Sequence, residues 1–230
     1  MLLAKVVQST RQHGMRATIE KSYAFLRGTR PTDDFDLKYG TDTSGVESLW
    51  KLEISSPNGR LGERYQPTDE QEPVDSVNFL HESPGKLSFI DLGCGKGRTL
   101  LVAAGLGFAR IIGVEFAREL VNTARQNLAK KRIDNAIVEH ADAADFPFPN
   151  SDFVVYLYNP FSEAVMQKVV ARLNECRAKK FYIIYRVPKC AEVFDSSGFL
   201  RRFGCPPGRP YIQVWKAAAI GYECLAPVPD

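Results

Sequence analysis

The feature that most constrains the fold is a glycine-rich turn between an apolar segment and a helix-like segment. Residues 88–98 read Ser-Phe-Ile-Asp-Leu-Gly-Cys-Gly-Lys-Gly-Arg, and a helical pattern follows over residues 99–105. Glycines let the backbone approach a ligand closely and adopt dihedral angles that residues with a Cβ atom avoid. The helix that follows would aim its free N–H groups and the positive end of its dipole at the turn. The stretch therefore predicts a strand–turn–helix unit that binds a ligand.

The spacing of the glycines distinguishes this turn from two other kinds of nucleotide-binding turn. The pattern here is G-x-G-x-G behind Asp91. Dinucleotide dehydrogenases use G-x-G-x-x-G, and P-loop proteins use G-x-x-x-x-G-K-[ST]. The turn contains Lys96, but no Ser or Thr follows it directly to hold a metal ion. A nicotinamide oxidoreductase remains only as the less favoured alternative.

From residue 87 onward, short apolar segments alternate with helical patterns. Such alternation indicates a mainly parallel sheet that is covered on both faces. Two further apolar segments flank the Gly/Pro-rich residues 204–210 and predict a closing antiparallel hairpin. We predict an α/β fold, a doubly wound, mostly parallel seven-stranded sheet with an antiparallel last strand. The predicted strands are 87–91, 110–115, 136–140, 152–158, 180–186, 199–203 and 211–215, and the predicted helices are 74–81, 98–106, 117–131, 162–177 and 189–196.

Polar residues follow four of these strands at their carboxyl ends, where doubly wound sheets bind ligands. Asp91 precedes the glycine turn, and Glu115 lies roughly 20 residues further on, where an acid can accept from two ribose hydroxyls. Asp142 ends the third strand, where it can accept from an adenine amino group, and Asn159 follows the fourth. Each acid alone could simply cap the next helix. The four together, in this order, favour a site for S-adenosylmethionine (AdoMet).

Residues 86–215 resemble the class I, Rossmann-like, AdoMet-dependent methyltransferases, and residues 89–98 resemble their first motif. The resemblance implies AdoMet as methyl donor, S-adenosylhomocysteine as product, and no metal. It places the turn glycines under the methionine part, with Asp91 near its amino group and Glu115 on the ribose. Cys94 stands where the family has small residues, and we interpret it as packing. The cofactor residues implied in this domain are Asp91, Gly93, Cys94, Gly95, Gly97, Glu115, Phe116, Asp142 and Ala143.

The stretch Asn159-Pro160-Phe161 resembles the Asn-Pro-Pro-Tyr/Phe motif of methyltransferases that act on amide, amine or base nitrogens, with one proline fewer. By that resemblance the Asn159 side chain would orient the acceptor nitrogen and Phe161 would stack on the acceptor group. Tyr158, Tyr185 and Arg186 would line the acceptor pocket, with Tyr158 counted among the catalytic residues. The alternative is a plain strand-to-helix turn that begins at Asn159.

The region before the first motif is rich in loop-forming residues. Residues 40–45 and 65–67 resemble segments in an uncharacterised bacterial group of these enzymes, and Tyr65-x-Pro is also similar to protein-lysine methyltransferases. The resemblance implies a lid over the cofactor, with Thr43 and Tyr65 touching it; the alternative is an ordered surface loop. We therefore divide the chain into a helical N-terminal extension with lid, residues 1–85, and a methyltransferase domain, residues 86–230.

Composition indicates in which cellular compartment the protein is expected, but it does not identify the methyl acceptor. No apolar run approaches the roughly 18 residues of a membrane span. The five scattered cysteines form no C-x-x-C pair, which suggests reduced thiols in the cytoplasm and gives no zinc signature. Residues 1–30 are basic with a near-helical apolar spacing, which predicts either an amphipathic helix packed on the domain or a surface for an anionic partner. The acceptor is thus expected to be a small molecule or a protein, with nucleic acid as a further option. A non-catalytic AdoMet-binding or interaction module stays open as an alternative function.

Overall fold

The computed structural model describes residues 33–48, 52–54, 56–58, 62 and 64–218. The predicted basic helix over residues 1–30 and Cys224 lie outside these described residues. Within them, no helix combines the length and the apolar character that crossing a bilayer requires. The division of the chain at residue 85 stays a prediction.

The centre of the molecule is one seven-stranded sheet, in the order β3-β2-β1-β4-β5-β7-β6. Strands β1 to β5 run parallel to one another, and β7 runs antiparallel to both β5 and β6. This confirms the predicted doubly wound sheet with an antiparallel last strand. The strand order reverses between β1 and β4, which is where such sheets bind ligands. The strands are β1 Ser88–Leu92, β2 Arg110–Glu115, β3 Ala136–His140, β4 Phe153–Tyr158, β5 Phe181–Arg186, β6 Leu200–Gly204 and β7 Ile212–Ala217.

Helices cover both faces of the sheet. The five α-helices from residue 71 onward agree with the five predicted ones to within a few residues, whereas the short helix over residues 34–39 was not predicted, because it lies in a stretch rich in loop-forming residues. Strand β1 is buried along its whole length, because helices lie over both of its faces. Side chains alternate along a strand, so Ile90 and Leu92 enter one core cluster while Phe89 enters the other. Asp91 therefore points to the Phe89 side. The helices are α1 Asp34–Tyr39, α2 Gln71–Phe79, α3 Arg98–Gly105, α4 Arg118–Lys130, α5 Glu163–Glu175 and α6 Ala191–Asp195, with 3-10 turns at Pro84–Lys86 and Ala143–Asp145.

The described residues between 40 and 68, here called the covering segment, cross the carboxyl edge of the sheet. Short antiparallel backbone pairs tie the segment to itself and to the domain. Glu47 pairs with Tyr65 inside the segment, Ile54 pairs with Ala117 after β2, and Gly62 pairs with Phe161 after β4. The segment thus spans the region where the predicted site residues meet.

Candidate active site

The glycine turn leaves the end of β1 in a conformation that only glycine adopts readily. Gly93, Gly95 and Gly97 have φ angles of 83°, 54° and 83°, in the left-handed region that a Cβ atom disfavours. Gly97 is the N-cap of α3 and provides no side-chain cap. The first N–H groups of α3 therefore remain available at this edge of the sheet. A Cβ atom on Gly93 would lie 2.9 Å from Cβ of Pro160, so the turn and the end of β4 are in close contact.

Asp91 is a buried carboxylate that forms no ion pair with any described residue. Its Oδ2 accepts a hydrogen bond from the hydroxyl of Thr99 on α3. Burial raises the pKa of Asp91 to about 7; the bond from Thr99 opposes this rise, and Glu115 adds to it. A cation placed beside Asp91 would favour its charged form.

Glu115, at the end of β2, joins the glycine turn to the start of α4. Its Oε2 accepts from the backbone N–H of Gly95 at 3.0 Å, and its Oε1 accepts from that of Ala117 at 2.9 Å. Burial raises the pKa of Glu115 to about 7, against the lowering effect of these backbone hydrogen bonds. Each carboxylate oxygen still has a lone pair to offer to a ligand hydroxyl.

Between the sheet edge and the covering segment lies a cavity of about 250 Å³. Five of the predicted cofactor residues in the domain border it, and so do all three predicted catalytic residues. Its walls thus combine the β1 turn, the ends of β2 and β4, and the covering segment. The cavity is lined by Arg64, Tyr65, Gln66, Pro67, Thr68, Asp91, Gly93, Cys94, Arg98, Thr99, Glu115, Phe116, Leu120, Tyr156, Tyr158, Asn159, Pro160, Phe161, Val187 and Lys189.

A second, much smaller cavity contains the residues predicted to meet the adenine. Phe116, Asp142 and Ala143 line it together with Asn58 of the covering segment. Asp142 accepts from the backbone N–H of Ala144 at 2.9 Å, so it also caps the 3-10 turn. Its other oxygen accepts from Ser56 and, at 2.8 Å, from the Asn58 amide. The covering segment therefore donates hydrogen bonds to the carboxylate that the sequence assigns to the adenine amino group.

Asn159 occupies a strained turn at the end of β4. Its φ angle is 38°, which is uncommon for a residue with a side chain, although Asn tolerates it better than most. The residue is buried, lines the main cavity, and its Oδ1 accepts from the Tyr185 hydroxyl at 3.4 Å. Helix α5 begins only at Glu163, with Ser162 as its N-cap. Asn159 is therefore not a helix cap.

Tyr158 and Arg186 form a layer beside Asn159. The Arg186 guanidinium lies 3.7 Å from the centre of the Tyr158 ring and is paired with Glu72 of α2 at 2.5 Å. The Tyr158 hydroxyl accepts a hydrogen bond from Gln66 of the covering segment. Of the two residues, Tyr158 borders the cavity, whereas Arg186 braces it from behind.

The mouth of the cavity includes a second strained position, which the sequence did not reveal. Val187 has a φ angle of 52°, an outlier for a β-branched residue, and 36% of its surface is exposed. Its N–H donates to the Tyr211 carbonyl, and its carbonyl accepts from the N–H of Lys189, both at 2.8 Å. This tight turn places Val187 and Lys189 on the lining of the main cavity.

Tyr65 and Thr43 are hydrogen-bonded to each other, but of the two only Tyr65 borders the main cavity. The Tyr65 ring lies directly on Gly95, in the space that a Cβ atom would occupy, and it lines the cavity. Its hydroxyl donates to the Thr43 carbonyl at 2.5 Å, and burial raises the pKa of Tyr65. Thr43 is fully buried behind this ring and does not appear among the residues that border either cavity described above. Its predicted contact with the cofactor stays a prediction.

The two basic residues of the turn hold the covering segment, a role that the sequence did not suggest. The Lys96 ammonium is buried and bonds the Ser44 carbonyl at 2.8 Å, Asp42 at 3.1 Å and Glu47 at 3.4 Å. Arg98 is also buried. Its guanidinium bonds Asp33 at 2.5 Å, Thr43 Oγ1 at 2.8 Å and the Thr68 carbonyl at 3.3 Å.

Asp36 on α1 organises the loop that these basic residues reach. One of its oxygens accepts from the hydroxyls of Thr41 and Thr43, and the other accepts from the backbone N–H of Ser44 at 2.7 Å. Burial raises the pKa of Asp36, but these hydrogen bonds outweigh it and hold the pKa below its ordinary value. The run of hydroxyl residues after an acid is the sequence signal for this loop.

Cys94 packs as the sequence suggested. A Cβ atom on Gly113 of β2 would lie 2.7 Å from the Cys94 sulfur, so the thiol fills the space beside that glycine. Burial raises the pKa of Cys94 well above its ordinary value, so the thiol stays neutral. It is held as a packing group next to the cavity.

The residues present fit AdoMet, which carries an ammonium group, two ribose hydroxyls, an adenine and a sulfonium. Asp91 is a buried acid that lacks a cationic partner among the described residues, and Glu115 has free acceptor capacity for hydroxyls. Phe116 and Ala143 line the smaller cavity that would take the adenine edge. No group of three or more His, Cys, Asp or Glu residues within the described part of the chain could hold a metal ion.

Comparisons with known proteins agree with this geometry. Residues 89–179 match a family model described as a methyltransferase domain. The chain matches no curated protein. It is similar to a SAM-dependent methyltransferase from Aquifex aeolicus, with 14% identity and a TM-score of 0.50 over 66% of this chain and 92% of that one. It is also similar to yhhF of Escherichia coli, which is described provisionally as a methyltransferase, with 18% identity and a TM-score of 0.53 over 76% of this chain and 99% of that one. At these identities the two structures show a shared fold.

Proposed function

We propose that this chain, which belongs to the class I AdoMet-dependent methyltransferases, transfers the methyl group to a nitrogen that Asn159 orients. The observation that carries the proposal is the position of Asn159. The residue lines the main cavity at the end of β4, next to the Pro160 that contacts Gly93. An amide at this point lies beside the turn that would hold the methionine part of the donor.

The side chains around Asn159 support an orienting role. The Tyr185 hydroxyl accepts from the N–H of Cys190 and donates to Asn159 Oδ1, both at 3.4 Å, which fixes how the amide lies. The second lone pair of Oδ1 can accept from an acceptor N–H and so aim the nitrogen lone pair. Phe161 and Tyr158 supply aromatic walls beside it.

AdoMet supplies an electrophilic methyl group on a sulfonium that is already a good leaving group, so the protein mainly aligns the reactants and excludes water. The covering segment serves the second task, since Tyr65 lies on the turn and Gly62 pairs with Phe161. No covalent enzyme intermediate is required.

The cavity favours a slender acceptor group. Its volume of about 250 Å³ has to be shared between the acceptor and the part of the donor that Asp91 and Glu115 would hold. A side-chain amine of a protein, or a small amine, would reach Asn159 past Val187 and Lys189. A nucleic-acid acceptor, held through the basic residues 1–30, is the alternative.

The test is transfer of a radiolabelled methyl group from AdoMet to an extract separated into small-molecule, protein and RNA pools. The labelled pool is hydrolysed, and the methylated product is identified by chromatography. We expect a label that resists mild base, as N-methyl groups do. We expect Asn159→Ala to lower kcat roughly 100-fold because the acceptor is no longer aligned, while the Kd for AdoMet changes less than about twofold.

Asn122→Ala is the matched control, because Asn122 is exposed on α4 away from the cavity. It should leave both kcat and Kd unchanged. A base-labile methyl ester as the sole product would contradict nitrogen as the acceptor. AdoMet binding with no transfer to any pool would instead support the non-catalytic module.

We further propose a cytoplasmic location and a bacterial source group. Four of the five cysteines, Cys94, Cys176, Cys190 and Cys205, are free thiols, as expected of a reducing compartment. The bacterial group is supported by the resemblance of residues 40–45 and 65–67, which lie together over the glycine turn.

A further inference from the structure

One polar group at the floor of the main cavity is used neither by the fold nor by the proposed reaction. The hydroxyl of Tyr156 on β4 is completely buried and has no hydrogen bond of good geometry among the described residues. Buried hydroxyls nearly always have a partner, because leaving one unpaired costs its full desolvation. Tyr156 nevertheless borders the cavity, so a bound ligand can supply the missing acceptor.

The sheet register places Tyr156 directly beside Asp91. The two residues are Cα partners in the parallel pair β1–β4, and side chains at paired positions share a face. On the other side of Asp91 the paired residue is Gly113, which has no side chain. Tyr156 is therefore the side chain that flanks Asp91 within the sheet.

The surroundings of the Tyr156 hydroxyl keep it a donor. Burial raises the pKa of Tyr156 well above its ordinary value, and the acids Glu72 and Asp91 add to the rise. The charge of Arg186 and a side-chain contact with Thr68 lower the pKa in part, and Thr68 lines the same cavity as Tyr156. Arg98, whose guanidinium bonds the Thr68 carbonyl, adds positive charge to the same wall.

We propose that the Tyr156 hydroxyl, together with Thr68, binds the α-carboxylate of the methionyl end of AdoMet. In an amino acid a single carbon joins the ammonium group to the carboxylate. An ammonium group bound to Asp91 therefore brings the carboxylate within reach of Tyr156, which is paired with Asp91 in the sheet. A carboxylate at this place would be repelled by Asp91 unless donors such as these two hydroxyls received it. The proposal rests on AdoMet as cofactor and is independent of the acceptor.

The experiment compares two ligands that differ in the carboxylate. Calorimetry measures the Kd of AdoMet and of decarboxylated AdoMet for the wild type and for Tyr156→Phe, which keeps the ring. We expect AdoMet to bind roughly 10-fold more weakly to the variant, as for loss of one hydrogen bond to a charged group. Decarboxylated AdoMet should bind both proteins equally, within about twofold.

Tyr182→Phe is the matched control, because Tyr182 is a buried tyrosine of β5 whose hydroxyl donates to Glu82 at 2.8 Å. It should change neither Kd. Thr68→Val repeats the comparison at the second hydroxyl and decides the question if Tyr156→Phe does not fold. Equal weakening of both ligands, or of neither, would overturn the carboxylate assignment. Failure of wild-type protein to bind either ligand would overturn the cofactor itself.

Discussion

The floor of the main cavity and the segment that covers it satisfy their charges in opposite ways. On the floor, Asp91 and Glu115 are buried carboxylates with pKa values raised to about 7, and neither has a cationic partner among the described residues. Where the turn meets the cover, the buried Lys96 and Arg98 each bond an acid and a backbone carbonyl. The described part of the fold thus supplies partners for the charges of Lys96 and Arg98, but no cation for Asp91 or Glu115.

This difference separates groups that stabilise the fold from groups that await a ligand. A buried charge without a partner costs stability and persists where a function needs it. A buried charge with a full set of partners holds two elements together, and removing one partner is strongly destabilising. Variants on the floor should therefore change ligand binding, whereas variants in the cover should change stability first.

The largest effect should come from Asp91→Asn. The amide still accepts from Thr99, but it offers no charge to the ammonium group of AdoMet. We expect the Kd for AdoMet to rise roughly 100-fold, near the upper end for a hydrogen bond to a charged group lost in a buried site. The free energy of unfolding should stay the same or increase, because a poorly solvated acid has been removed. Calorimetry and urea unfolding measure the two quantities.

Asp134→Asn, on an exposed turn, is the control and should alter neither quantity. If Asp91→Asn binds AdoMet as tightly as the wild type does, the ammonium group of AdoMet does not bind at Asp91. Asp91 would then not be a group that awaits a ligand.

The acids and the amide that meet at the cavity could be selected from the sequence because each strand end carries its own signal. Glycine spacing, an acid after each of three strands and Asn159 can all be found in the printed sequence, and the parallel sheet brings them to one edge. The cover could not be predicted in the same way. Its residues pair with residues far away in the chain, and this pairing depends on how the segment crosses the domain.

Lys96 and Arg98 illustrate this limit. In the sequence, Lys96 and the residues after it indicate only that the turn is not a P-loop. The structure shows that both residues reach back more than 50 positions, to Asp42 and Asp33. The unpaired hydroxyl of Tyr156 and the strained turn at Val187 were missed for a related reason, since an apolar strand gives no hint of either.

An intermediate effect should come from Lys96→Met, which tests the cover. The substitution keeps the length of the side chain but removes the buried ammonium group that pairs with Asp42 and Glu47. We expect a loss of about 3 kcal/mol in the stability of the region, the lower end for breaking a buried pair. Limited proteolysis should then cleave the covering segment faster, and AdoMet should bind roughly 10-fold more weakly because closure costs more.

Lys130→Met is the matched control, because Lys130 is exposed at the end of α4. If Lys96→Met leaves the proteolysis rate at the wild-type value, the ion pairs of Lys96 do not hold the cover.

The smallest effect should be a dependence of AdoMet affinity on pH. Burial raises the pKa of Asp91 to about 7 in the free protein, whereas the bound ammonium should keep this carboxyl ionised. Binding below pH 7 therefore releases a proton from Asp91, and affinity increases as the pH rises through 7 before it levels off. Between pH 6.5 and 7.5 the change should be about threefold for a single group of this pKa.

The sign for stability is the opposite, and it follows from the same two carboxyls. In the unfolded chain Asp91 and Glu115 lose their protons near pH 4, while in the free folded protein they keep them to about pH 7. Between these values the folded state binds more protons, so the free energy of unfolding attributable to these groups falls as the pH rises from about 4 to 7. Calorimetry in buffers of different ionisation enthalpy counts the proton released on binding, and urea unfolding at pH 5.5 and 7.5 measures the stability term. In Asp91→Asn the released proton should disappear, and the stability term should shrink to the share of Glu115; an unchanged proton count would assign the titration to another group.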